Sequence, residues 1–122
     1  MKRILIVEDH LSFRQALAKL FEWNTAFEDD VQTSTLAESR RRIGRMDGFE
    51  VAIIDLGLPD GDGTDLIRDL RATDPEVPIL VLTQSTDPAR HDRALGAGAD
   101  KVLTKGVSVE EILGAVRELD KI

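Results

Sequence analysis

The chain has 122 residues, 42% of them hydrophobic and 32% charged, with 16 Lys and Arg against 23 Asp and Glu for a formal charge of −7. That length suits one domain spanning 1–122, able to bury roughly two-thirds of its unfolded surface, and the acidic balance argues against direct nucleic-acid binding. There is no cysteine for a disulfide or thiolate site. No apolar run approaches the ~18 residues of a membrane span, so the expectation is a soluble, cytoplasmic protein.

Short apolar runs alternate with amphipathic segments, the pattern of repeated βα units and a parallel sheet. The first strand is expected at Arg3–Val7 and the first helix at Leu11–Trp23, with Phe13, Leu17, Leu20 and Phe21 as its core-facing stripe. Trp23 and Phe27 fall off that stripe and are expected to pack under the following loop. Val31-Gln32-Thr33 reads as a short, half-polar edge strand. The second helix, Leu36–Ile43, leads a basic cluster of Arg40, Arg41, Arg42 and Arg45, read as a solvated face. A third strand at Phe49–Asp55 is followed by a Gly- and Pro-rich turn and a helix at Thr64–Thr73 that buries Leu66, Ile67 and Leu70.

The fourth strand is Ile79–Thr83. Asp87-Pro88 then gives an N-cap followed by proline at the first helical position. The helix they open offers only Ala89, Ala94 and Leu95 for burial and ends in Gly96-Ala97-Gly98, which makes it the least firmly held. Lys101–Leu103 is the fifth strand. Ser108 and Glu111 form a capping-box pair before a last helix with Val109, Ile112, Leu113, Val116 and Leu119 at helical spacing.

Every well-formed apolar run ends in a chemically active residue: Ile4–Val7 in Glu8-Asp9, Val51–Ile54 in Asp55, Ile79–Leu82 in Thr83, Val102-Leu103 in Thr104-Lys105. A single strand-terminal Asp is commonly only a turn or helix cap. In a parallel sheet, however, these ends share the carboxyl edge where ligands bind, so three carboxylates, a hydroxyl and an ammonium converge on one crevice. Two unit charges about 4 Å apart repel by about 4 kcal/mol at an effective dielectric of ~20. Either a proton is taken up or a divalent cation binds, and oxygen ligands with retained waters suit Mg²⁺. Beside such a cation, a carboxylate becomes a usable nucleophile for phosphoryl transfer, with Thr83 and Lys105 of the right types to receive the product's oxygens.

The set Glu8-Asp9, Asp55-Leu56-Gly57-Leu58-Pro59 with Gly63, Thr83, and Lys105 after Gly98-Ala99-Asp100 resembles the receiver domain of two-component response regulators over the whole chain. The resemblance implies a flavodoxin-like α/β fold: a doubly wound, five-stranded parallel sheet of order 2-1-3-4-5 with five helices in three layers. It implies Asp55 as phosphoacceptor, supplied by a phosphohistidine on a sensor histidine kinase. Asp9 and Asp55 would hold Mg²⁺ directly, Glu8 through water and Gly57 through its carbonyl, while Thr83 and Lys105 contact the phosphoryl group. Glu8-Asp9-His10, Phe13-Arg14 and Ser108-Val109-Glu110-Glu111-Ile112 are similar to the subfamily with a carboxy-terminal helix-turn-helix domain, which implies a DNA-binding domain outside this chain as a partner expectation, beside the alternative of a stand-alone receiver. A phosphorylation-dependent homodimer is a further partner expectation. His10 and His91 are read as surface residues and not as metal ligands.

Three positions depart from the family pattern. Val102 replaces an aromatic ring, Gly106 a proline, and Gln84 a small residue beside Thr83. Val102 and Gln84 are thus candidate modulators of switching. The departures keep a second class open, a phosphorylation-independent interaction module. A third class, a phosphatase of the haloacid-dehalogenase type, needs a second Asp two residues after the nucleophile, where this chain has Gly57.

Overall fold

A computed structural model describes residues 2–45 and 48–120. In chain order the elements are β1 (Arg3–Val7), α1 (Leu11–Asn24), β2 (Asp29–Thr33), α2 (Leu36–Ile43), β3 (Val51–Ile54), β4 (Gly57–Leu58), β5 (Gly61–Asp62), α3 (Gly63–Thr73), β6 (Ile79–Thr83), α4 (Pro88–Ala97), β7 (Lys101–Thr104) and α5 (Val109–Asp120). The main sheet runs β2-β1-β3-β6-β7, with every neighbouring pair parallel. Counted by its own five strands, this is the expected order 2-1-3-4-5. No helix among the described residues is long and apolar enough to cross a membrane.

The central strands β1, β3 and β6 are apolar on both faces because helices cover both, and their two-residue period sorts the core into two clusters. Leu5, Val7, Ala52, Ile54, Ile79 and Val81 point toward α2, α3 and α4, meeting Leu36, Leu66, Ile67, Leu70 and Ala94. Ile4, Ile6, Val51, Ile53, Leu80 and Leu82 point the other way, against Leu17 and Phe21 of α1 and Ile112 and Val116 of α5.

Several local expectations are corrected. The turn after Asp55 contains β4 and β5, an antiparallel pair closed by Pro59-Asp60. Gly61 closes it at φ +153°, and a Cβ there would meet Leu36 Cδ1 at 2.5 Å. Trp23 does not pack under a loop: it is 75% exposed, because two residues past the buried Phe21 it lies on the opposite side of α1. Phe27 is buried as expected. Val109 leads α5 and is half exposed; the helix first reaches the core at Ile112. Of the capping box, the Glu111 N–H donates to Ser108 Oγ at 3.2 Å.

The fourth helix is held at its ends rather than along its length. Ala94 is its buried residue, and Asp87 caps it by accepting from the Ala89 N–H at 3.0 Å. At the other end Gly98 stands at φ +123°, a conformation that favours glycine. There Arg71 of α3 donates through Nε to the Gly98 carbonyl at 3.0 Å, through Nη2 to Asp100 Oδ2 at 2.9 Å, and through Nη1 to the Val77 carbonyl.

Candidate functional site at the carboxyl edge of the sheet

Parallel pairing fixes which side chains meet. Val7 is level with Ile54, Ile54 with Val81, and Thr83 with Thr104. The ladder continues one step past the strand ends: the Glu8 N–H bonds the Thr33 carbonyl (3.0 Å), the Asp55 N–H that of Val7 (3.0 Å), and the Lys105 N–H that of Thr83 (2.8 Å). The backbone therefore delivers Glu8, Asp55 and Lys105 to one rim already aligned.

At that rim Lys105 Nζ lies 2.5 Å from Glu8 Oε1 and 3.1 Å from Asp55 Oδ2, and 5.0 Å from the centre of the Phe13 ring. Glu8 is 2% exposed and Asp55 5%. Burial pushes the Glu8 carboxyl above the ordinary carboxylate range, and Lys105 together with the His10 N–H offsets this only in part. Burial alone would lower the Lys105 ammonium, but its contacts with Glu8 and Asp55 outweigh it and hold the pKa above the ordinary lysine value. The Gly57 N–H donates to Asp55 Oδ1 at 3.2 Å, so both Asp55 oxygens are oriented.

Gly63 lets the following helix come this close. A Cβ there would stand 2.2 Å from the Asp55 carbonyl oxygen and 3.0 Å from Leu56 Cα. The Gly63 N–H in turn bonds the Leu56 carbonyl at 2.8 Å, and Asp62 caps α3 by accepting from the Thr64 N–H.

Thr83 closes β6 one step beyond Asp55's level and is buried, with its Oγ1 accepting the Ser85 N–H at 3.1 Å. The Ser85 carbonyl accepts from His91 Nε2 of α4 at 2.6 Å. Gln84 projects to solvent. Val102 lies on β7 beside Val81, half-buried against the α2–α3–α4 cluster. Among the described residues every peptide bond is trans, including the one joining Lys105 to Gly106.

The residues present fit a divalent cation. Glu8, Asp9, His10 and Asp55 each offer a ligand atom, all within 4.8 Å of one another. Ligand atoms held ~2.1 Å from one ion stand up to ~4.2 Å apart, so small side-chain movements suffice. Asp9 Oδ1 is buried with no hydrogen-bond partner among the described residues, an acceptor that such an ion would satisfy.

Sequence reasoning missed two members of this neighbourhood. His10 is exposed as expected, yet its Nδ1 stands 3.2 Å from Glu8 Oε2 and 3.4 Å from Asp9 Oδ1. Asp60, between β4 and β5, accepts from the Leu36 and Ala37 N–H groups at 2.7 and 3.0 Å, tying the hairpin to the start of α2. No local pattern marks that long-range cap, whereas adjacency to Glu8-Asp9 is a signal that places His10 beside the acidic pair.

Comparison with known proteins follows this geometry. Residues 4–117 match the response regulator receiver domain. The chain is 37% identical over 121 residues to the KDP operon transcriptional regulatory protein KdpE of Escherichia coli K12, covering 96% of this chain and 50% of that protein. It thus spans about half the length of the curated relatives it matches. A CheY-like receiver domain protein from Methanospirillum hungatei superposes with a TM-score of 0.90 at 27% identity, covering 99% of this chain and 95% of that one. A Burkholderia pseudomallei response regulator, solved with a phosphorylated aspartic acid, calcium and citrate, superposes at 0.87 with 30% identity, covering 99% and 69%. The match runs nearly end to end, and the acidic residues and lysine of the shared pattern meet at one sheet edge: this chain belongs to the response regulator receiver domains of two-component systems.

Proposed function

We propose that the domain is a phosphorylation-controlled switch in which Asp55 accepts a phosphoryl group from a phosphohistidine of a sensor kinase. The observation that carries this reading is the buried Asp55 oriented between Lys105 and the Gly57 N–H, beside an acidic pair with an orphaned oxygen. An Asp55 oxygen attacks phosphorus, and the phosphorus–nitrogen bond breaks with its electron pair going to the leaving imidazole. Asp9, Asp55 and the Gly57 carbonyl, with Glu8 through water, would hold Mg²⁺, which would supply charge neutralisation on the carboxylate and the transferring group. Lys105, which contacts Glu8, turns toward a phosphoryl oxygen in this reading. Thr83 donates its hydroxyl to another.

A path to the surface leaves from Thr83. Its hydroxyl is tied to the Ser85 N–H and the Ser85 carbonyl to His91 of α4, so movement of Thr83 toward a phosphoryl group pulls on a helix that is held mainly at its ends. This route does not need an aromatic ring at Val102. A transcriptional output from a further domain is proposed by analogy with KdpE, named as a transcriptional regulatory protein. Dimerisation on phosphorylation is part of the same proposal.

Acetyl phosphate with Mg²⁺ is expected to retard the protein on a phosphate-affinity gel and to shift amide signals from Thr83 to Gly98. Asp55→Asn abolishes both. Val102 and Gln84 favour a second reading, a receiver-like module that no longer uses phosphate. An unlabelled wild-type protein with unchanged spectra, with Mg²⁺ and acetyl phosphate in excess, would establish that reading and overturn the first.

A further inference from the structure

We propose that Phe13 is a positioning residue for phosphoryl transfer: its ring face holds the Lys105 ammonium at the crevice while that ammonium changes partner from Glu8 to a phosphoryl oxygen. This role rests on the phosphoacceptor reading above and adds to it a residue of α1 that touches no reacting atom. Lys105 Nζ lies over the Phe13 ring, 5.0 Å from its centre, inside the ~6 Å within which the negative face of an aromatic ring attracts a cation. Its carboxylate partners are Glu8 Oε1 at 2.5 Å and Asp55 Oδ2 at 3.1 Å, and the Lys105 side chain is only 10% exposed. Both carboxylates change when a phosphoryl group arrives: Asp55 becomes the acyl phosphate and Glu8 gives up the ammonium. The ring is the partner that stays. A π face has no lone pair fixed in direction, so the ammonium can slide across it without breaking a directed hydrogen bond.

The ring owes its place to the start of α1. Phe13 lies three residues past the N-cap His10, and helical side chains lean back toward the N-terminus, so this position of the first turn overhangs the rim. Leu103 and Val107, two residues to either side of Lys105, pack against the same α1–α5 cluster as Phe13. The ring is thus braced by the core on the side away from the ammonium. Gly106, next after Lys105, brings no side chain of its own, and nothing lies within 4 Å of where a Cβ would stand. The ammonium is therefore placed by what the Lys105 side chain touches.

Phenylalanines carrying one, two or three ring fluorines at position 13 weaken the negative face in steps while nearly keeping its size. With acetyl phosphate and Mg²⁺, the rate of Asp55 phosphorylation is expected to fall along the series, to about fivefold below wild type with three fluorines. The Lys105 ε-methylene protons, shifted upfield by the ring and assigned through their loss in Lys105→Met, move toward the position of the other lysines in Phe13→Leu. Phe13→Tyr, which keeps the face, restores both the shift and the rate. Fluorination of Phe27, whose ring lies 5.7 Å from Lys2 Nζ at the amino end of the sheet, leaves the rate unchanged. A rate that stays flat across the position-13 series, or Lys105 shifts equal in wild type and Phe13→Leu, would overturn the proposal and leave the phosphoacceptor reading standing. A wild type that takes up no phosphoryl group would overturn that reading and this role with it.

Discussion

Replacing Lys105 by Met removes the cation that stands between two buried carboxylates while keeping most of the side chain's apolar bulk. At 2.5 and 3.1 Å, and with an effective dielectric of ~20, the ammonium attracts Glu8 and Asp55 by about 7 and about 5 kcal/mol before desolvation is counted. Desolvating the ions offsets most of this, and removing one partner of a buried pair typically costs about 3–5 kcal/mol. Because Glu8 can take up a proton, the lower end applies, about 3 kcal/mol at pH 7. With a urea m-value of ~1.5 kcal/mol/M, the unfolding midpoint falls by about 2 M.

The sign with pH is fixed. The Glu8 pKa is raised in the folded protein, so its contribution to stability is present below the ordinary value of about 4.3 and is lost as pH rises through the raised one. Without Lys105 that rise is larger, so the deficit of Lys105→Met shrinks as pH falls from 7 toward 4.5. Mg²⁺ at pH 7 narrows it as well. A midpoint unchanged at pH 7, or a deficit equal at both pH values, would refute the assignment of Lys105 as the charge that holds the acidic rim together.

Gly63→Ala puts a Cβ 2.2 Å from the Asp55 carbonyl oxygen and should lower the melting temperature by about 10 °C, a cost of about 3 kcal/mol; Gly114→Ala, in the open middle of α5, should raise it by a few degrees. Arg71→Ala frees the carboxyl end of α4. Amide exchange across Ala94–Gly98 is expected to accelerate at least tenfold with a global loss of about 1–2 kcal/mol, and exchange unchanged there would show that the helix is held by something else. Hydrogen bonds from the Leu36 and Ala37 N–H groups lower the Asp60 pKa, so its support of α2 is present above the ordinary aspartate value of about 3.9 and is lost as pH falls through the lowered one. Asp60→Ala should therefore melt earlier than wild type at pH 7, with the gap closing in strong acid.

The parallel sheet was legible because helices cover both its faces. Runs such as Ile4–Val7 and Val51–Ile54 are apolar throughout, and their endings name the rim. Local chemistry also marked the cap at Asp87-Pro88 and the sparse burial of α4. What escaped lies in contacts that sequence separation hides. Nothing near Asp60 says that it caps a helix 24 residues earlier, or near Arg71 that it reaches a carbonyl 27 residues later. The missed hairpin of β4 and β5 is two residues per strand, too short to show a period. Trp23 lies off the core-facing stripe, as its position in the sequence says, but the loop after α1 does not cover it and it stays in solvent. A fluorescence probe there would report solvent and not the acidic rim.

The sorting of strand residues by the pleat has a consequence for how this domain tolerates change. Leu5 and Ile6 are neighbours in the chain but sit in separate compartments walled off by the backbone, one facing α2, α3 and α4 and the other facing α1 and α5. A volume lost on one side is not refilled from the other, so paired substitutions across the wall should combine nearly independently while pairs within a compartment interact. Each half of the interior can therefore change in composition independently of the other.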